Sequence, residues 1–136
     1  MAEPTKSLDP VEAFARLPEL VNADDFLVHR GRFLDVDFLV EIGEVPFIVT
    51  IERGRVKSCE RGPFPLRSWE FAVRGSLDGW RKFLLPVPPP QFHDIFALVK
   101  RKEFRLEGNP YKFMANLLYI KDVLAAPRTG AQAGVR

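Results

Sequence analysis

The chain has 136 residues, 46% of them hydrophobic, and a formal net charge of +2, which predicts one domain of ordinary size with enough apolar material for a core of its own. A single cysteine, Cys59, excludes an internal disulfide, and two histidines leave no zinc-ligand spacing. No segment reaches the roughly 18 uninterrupted apolar residues of a membrane span, and the first residues lack a basic stretch followed by an apolar one, so a soluble, cytoplasmic protein is expected.

The first element is a helix announced by Asp9 at the N-cap, Pro10 at the first helical position and Glu12 three residues beyond the cap. Leu8, Val11, Phe14, Leu17 and Leu20 or Val21 form its apolar stripe, and Pro18 should end or kink it. From Phe33 the period changes to two. Val36, Phe38, Val40 and Ile42 alternate with Asp37, Leu39 and Glu41, Gly43 to Pro46 makes a turn, Phe47, Val49 and Ile51 form a second alternating set, and Val56 opens a third strand after Glu52 to Arg55. Strands this close in sequence must pair as an antiparallel meander, because parallel pairs need longer crossovers.

Beyond the loop RGPFP, the alternation of Trp69, Phe71 and Val73 predicts a fourth strand, and Ser76 caps a short helix carrying Trp80, Phe83 and Leu84. The stretch PVPPP then interrupts the apolar run. Its flanks each have a single apolar face and are too short to stand alone, so it reads as a stiff joint inside one core, with Pro89 or Pro90 in the first turn of the next helix. Phe92, Ile95, Phe96 and Val99 give that helix its face. Phe104 and Leu106 mark a last strand in EFRLEG. Asn109-Pro110 caps a final helix with the stripe Phe113, Leu117, Ile120 and Leu124, which Pro127 stops. The predicted organisation is a single domain over residues 1–126 and a disordered tail over 127–136. Its fold class is α+β, a mostly antiparallel sheet of about five strands covered on one face by helices.

The residues carry little catalytic chemistry. Cys59 has no histidine near it in sequence, His29 and His93 read as surface or capped histidines, and Asp24-Asp25 and Asp35 with Asp37 read as turn residues; no phosphate-binding glycine motif occurs. The expectation is a protein that is not an enzyme and uses no cofactor. Charge is uneven: residues 1–51 hold 4 basic against 10 acidic residues, residues 52–136 hold 16 against 8. Arg53, Arg55, Lys57, Arg61, Arg67, Arg74, Arg81 and Lys82 supply either a solvated face balanced by the acidic half or a surface for anionic headgroups or a membrane. Nucleic-acid binding is not expected, since the aromatic residues fall on the apolar phase of their elements, opposite the Arg and Lys side chains.

In order and pattern, the stretches FLVEIGEVPFIVTIERGRV, FAVRGSLDGWRKFL and KEFRLEGNPYKFMANLL, with the proline-bearing joint between the last two, resemble the sterol-carrier-protein type-two domain over Val36 to about Leu124. The chain departs from that family where Pro86 to Pro90 replace a glycine near the end of the Trp80 helix, and its last residues, GVR, are not a peroxisomal signal. The resemblance implies a hydrophobic tunnel between sheet and helices holding a fatty acyl chain, sterol or similar lipid. Phe38, Val40, Phe47, Val49, Phe71, Phe83, Phe92, Phe96, Phe104, Phe113, Met114 and Leu117 are its candidate walls. About ten methylenes taken from water gain on the order of 8 kcal/mol before ordering costs, so micromolar binding needs no special chemistry. The alternative is an accessory module with a filled core that binds another protein, marked by exposed Leu39, Ile48, Leu118 or Tyr119.

Overall fold

A computed structural model describes residues 9–64 and 67–131. Five strands form one sheet in the order β3-β2-β1-β4-β5, comprising β1 (Asp35–Ile42), β2 (Val45–Glu52), β3 (Arg55–Arg61), β4 (Phe71–Gly75) and β5 (Phe104–Gly108). The first three make the expected antiparallel meander, with Phe38 opposite Val49 and Val40 opposite Phe47. β4 returns beside β1 in parallel, pairing Phe38 with Phe71 and Val40 with Val73, and β5 closes the sheet antiparallel to β4. The sheet is thus mixed but mostly antiparallel.

Each turn of the meander is two residues long and places glycine at positive φ, Gly43 at 64° and Gly54 at 83°. Gly54 has a second reason to be glycine: a Cβ there would lie 2.4 Å from the Val28 carbonyl oxygen.

Helices α1 (Pro10–Ala15), α2 (Leu17–Asn22) and α3 (Asp25–Arg30) precede the sheet. Asp9 caps α1 as expected, its carboxylate accepting from the Val11 N–H at 2.9 Å. The apolar stripe is interrupted at Arg16, the break expected of Pro18, which sits in the first turn of α2. Asp24 is also a cap, accepting from the Leu27 N–H at 3.1 Å, and starts α3, a helix that the sequence pattern leaves as a turn. α2 packs on the edge strand β3, and the Asn22 amide both donates to the Val56 carbonyl (3.0 Å) and accepts from the Val56 N–H (2.9 Å). This side chain takes the place of a neighbouring strand at that point of an otherwise open edge.

α4 (Leu77–Phe83) starts at the Ser76 cap, whose hydroxyl accepts from the Gly79 N–H at 2.9 Å. The joint is longer than the sequence suggests: α5 (Ile95–Lys100) begins at Asp94, so Pro89 and Pro90 lie outside its first turn. Residues 84–94 run as turns, pinned by Phe92, which is buried and covered by Lys82 and Arg101 at 5.0 and 4.8 Å from its ring centroid. Within α5 the inward residues are Ile95 and Leu98, whereas Phe96 and Val99 are half-buried. The predicted closing helix is divided at Asn116 into α6 (Tyr111–Ala115) and α7 (Leu117–Leu124). Pro127 does not end ordered structure, since it falls at the second position of α8 (Ala126–Ala131), a place where a missing N–H costs nothing. Residues 132–136 of the expected tail lie outside the described residues.

The helices lie over the inner sheet face and share one core with it. The outer face is not simply polar. Leu39, Ile48 and Ala72 are buried there beneath Phe64 and Trp69, both from the connection that carries the chain from β3 to β4. Leu39 and Ile48 are therefore corrected from exposed contacts to core residues: the crossover covers their side of the pleat, an effect that strand alternation alone does not register.

Tyr119 is corrected in the same way. It is 4% exposed, and its hydroxyl donates to the Gly54 carbonyl at 2.5 Å while its ring fills the space a Gly31 side chain would need. Burial pushes the Tyr119 hydroxyl and the Cys59 thiol each up to about 12. In the unfolded chain both lose protons at lower pH, near 10 for Tyr119 and 9 for Cys59. Folding stability from these groups is complete below about pH 9 and declines as pH rises toward 12. Urea unfolding midpoints should therefore fall steadily between pH 9 and 11, and less so in Tyr119→Phe; a flat profile would show that neither group is desolvated.

Candidate functional site: an apolar interior and a cleft at its helical side

The inner faces of the strands and helices supply two aromatic groups. In one, Phe38 stacks on Phe71 with centroids 4.8 Å apart and planes 7° from parallel, Phe71 meets Phe113 edge-on at 5.3 Å, and Phe113 meets Phe96 at 6.0 Å. In the other, Trp80 lies 5.9 Å from Phe14, 5.6 Å from Phe83 and 4.7 Å from Phe104, and Phe14 reaches Phe47 at 5.2 Å. The Trp80 indole N–H donates to the Glu41 carbonyl at 3.0 Å, satisfying the one polar atom of the ring. Gly75 makes this approach feasible, because a Cβ on it would lie 2.7 Å from both Trp80 Nε1 and the Phe104 ring.

Of the twelve candidate wall residues, Phe38, Val40, Phe47, Val49, Phe71, Phe83, Phe92, Phe104 and Phe113 are buried in the one core, and Phe96 and Leu117 pack against it half-buried. Met114 stands apart, 51% exposed next to buried Phe113 on α6. The core rings touch one another, so in this state the candidate walls pack together as neighbours.

The interior approaches solvent at a cleft of about 280 Å³ between α4, the start of α5, α7 and α8. Phe83, Ile95 and Ala125 contribute its apolar lining, and Phe83 and Ile95 belong to the core. His93, Asp94, Leu118, Lys121, Asp122 and Arg128 supply the remainder. Leu118, an expected surface contact, is 69% exposed. Lys121 pairs with Asp94 at 2.7 Å, and Arg30 from α3 pairs with Asp122 at 2.7 Å. Arg128 donates from Nε (2.9 Å) and Nη2 (2.6 Å) to the Phe83 carbonyl at the end of α4, with its guanidinium 4.6 Å from the centroid of the Phe83 ring. Partial burial lowers the Arg128 pKa from its ordinary value.

The basic residues singled out in sequence do not gather at this cleft. Arg67 pairs with Glu60, Arg74 with Glu41 and Glu107, and both Arg81 and Lys82 with Asp78. Arg53 and Arg55 border an open hollow that also contains Asp35 and Glu52. The cleft's own cations, Lys121 and Arg128, carry no motif; their signal is only a spacing of seven, which an α-helical stripe shares and which the α7–α8 break obscures. His93 is an exposed member of the cleft lining, whereas His29 is exposed on α3. Cys59 is a half-buried β3 residue whose Sγ is 3.7 Å from the Phe14 carbonyl oxygen, and its raised pKa leaves little thiolate at neutral pH. Among the described residues no group of three or more His, Cys, Asp or Glu side chains is arranged to hold a metal, and no helix is long and apolar enough to cross a membrane.

The sequence matches no protein-family model and no curated protein. Solved structures are similar to it in fold. A conserved hypothetical protein from Thermus thermophilus, described as possibly a sterol carrier protein, superposes with a TM-score of 0.67 at 9% identity over 90% of this chain and 88% of its own. Sterol carrier protein 2 gives 0.65 at 11% identity, covering 88% and 93%. The UbiJ-SCP2 ubiquinone synthesis protein gives 0.56 at 14% identity, covering 94% and 98%. The fold is thus the sterol-carrier-protein type-two-like one that the strand and helix order resembles.

Proposed function

We propose that this protein binds an apolar small molecule of lipid-like character without covalent chemistry, admitting it through the α4–α5–α7–α8 cleft into the space between helices and sheet. The observation that carries the reading is the continuity of the cleft with the core: Phe83 and Ile95 line the opening and at the same time pack inside. The fold likeness adds weight, since structures of this architecture include one named for sterol carriage. Because the core rings are in mutual contact, the ligand has to part helices from the sheet as it enters. The short helices α4 to α8, none longer than eight residues, favour that over movement of the five-stranded sheet. No catalytic step belongs to this reading: the ligand is held and released.

A second reading has its own support. Ring-to-ring packing is what a filled core requires, and Tyr111, Met114 and Leu118 expose apolar surface on successive turns of α6 and α7. Under that reading the protein is an accessory module docking a protein partner there. Native mass spectrometry before and after organic extraction, with displacement of a fluorescent fatty-acid probe, separates the two. The carrier reading expects a co-purified lipid or saturable displacement at one site per chain. A bare chain that ignores the probe would leave the accessory reading.

A further inference from the structure

Charges around the cleft are matched except at one position. Lys121 is neutralised by Asp94 and Arg30 by Asp122, each at 2.7 Å. Arg128 is half-buried, and among the described residues no carboxylate forms an ion pair with it. Its two hydrogen bonds end on a single backbone carbonyl, that of Phe83. That contact caps the C-terminal end of α4, where a cation is favoured. Capping accounts for two of the five N–H donors of a guanidinium and for a fraction of its charge. The rest of the group lies at a cleft whose neighbouring surface is Phe83, Ile95 and Ala125, and a desolvated charge without a counter-ion is costly.

We infer that Arg128 is the headgroup subsite of the cleft, and that the preferred ligand is an amphiphile bearing a compact anion such as a carboxylate, its tail directed past Phe83 and Ile95. The anion completes the unused donors of Arg128, the one cation of the cleft that no carboxylate among the described residues already neutralises. Desolvation, which lowers the Arg128 pKa, also strengthens its attraction to an entering anion. A sterol offers this group a neutral hydroxyl acceptor at most and an isoprenoid hydrocarbon none, and neither brings a counter-charge. The inference rests on the apolar-ligand reading above and adds a charge preference to it.

The test compares decanoate with decanol, which share a chain length and differ in the headgroup, by isothermal titration calorimetry on the full chain. Decanoate should bind about tenfold or more tightly than decanol, the difference one charge-assisted contact supplies. In Arg128→Gln that preference should vanish while decanol affinity stays within about twofold. Equal affinities in the unaltered protein, a comparison that needs no variant to fold, would overturn the headgroup assignment and leave the carrier reading intact. Binding of neither compound would overturn both. A preference that survives in Arg128→Gln would move the subsite elsewhere. Sodium acetate at the concentration that saturates with decanoate should not compete; competition would identify a site for free anions rather than amphiphiles.

Discussion

Replacing Trp80 with alanine should remove about 4 kcal/mol of stability, within the range measured for deleting a large buried aromatic side chain. The side chain is fully buried, contacts Phe14, Phe83 and Phe104, and thereby joins α1, α4 and β5 across the core. Its loss creates a cavity where three elements meet and leaves the Glu41 carbonyl without its indole donor. Small domains hold about 5–15 kcal/mol in total, so this one change takes a large share. Urea denaturation followed by far-ultraviolet circular dichroism measures it. Trp80→Phe serves as the control: it keeps a ring in the cavity but not the N–H, and should cost less than half as much. A Trp80→Ala protein with an unchanged midpoint would mean that α4 is not held to the sheet through this residue.

The parts of the fold that were legible in the sequence are those whose burial depends on local periodicity. Val36, Phe38, Val40 and Ile42 face inward because one face of the pleat meets the helices, and a period of two records that directly. The N-caps Asp9 and Ser76 were legible for a similar reason, since a cap interacts within three residues of itself. What local pattern misses is decided by distant segments. Leu39 and Ile48 are buried because a crossover lies on them, and Tyr119 because Gly31 leaves a place for its ring and the Gly54 carbonyl accepts its hydroxyl. Phe92 sits at a helical interval from Ile95, yet it is buried as part of a turn, with Lys82 and Arg101 against its ring.

The same distinction governs the site. The apolar lining was visible as a surplus of phenylalanine on inward phases, 12 in all. The opening was not, because its members come from four separate segments with no shared spacing. Met114 shows the converse: it follows buried Phe113 within the same short helix, and one residue is about 100° of helical turn, so it ends at the surface. Arg128 lies in a stretch of small and polar residues that resembles a tail, and only the packing of α8 against α2 and α7 brings it to Phe83.

Filling the cleft should separate binding from folding. Ala125 lies between α7 and α8 at the cleft lining, half-buried and in right-handed helical geometry that a larger side chain adopts without strain. Ala125→Phe places a ring in the opening beside Phe83 and Ile95, where it has an open volume of about 280 Å³ to occupy. Stability should change by less than about 1 kcal/mol, since the ring enters existing space and gains apolar contact. Affinity for a fluorescent fatty-acid probe should fall at least tenfold, because the probe and the ring compete for the same entrance. Equilibrium titration alongside urea denaturation reads both quantities in one preparation. If the variant folds normally and binds the probe as before, the ligand enters elsewhere, and the exposed face of Tyr111, Met114 and Leu118 becomes the place to look for the partner of this domain. If binding is lost while the midpoint holds, the route to the core passes between Phe83 and Ala125, and the short helices around it are the elements that open.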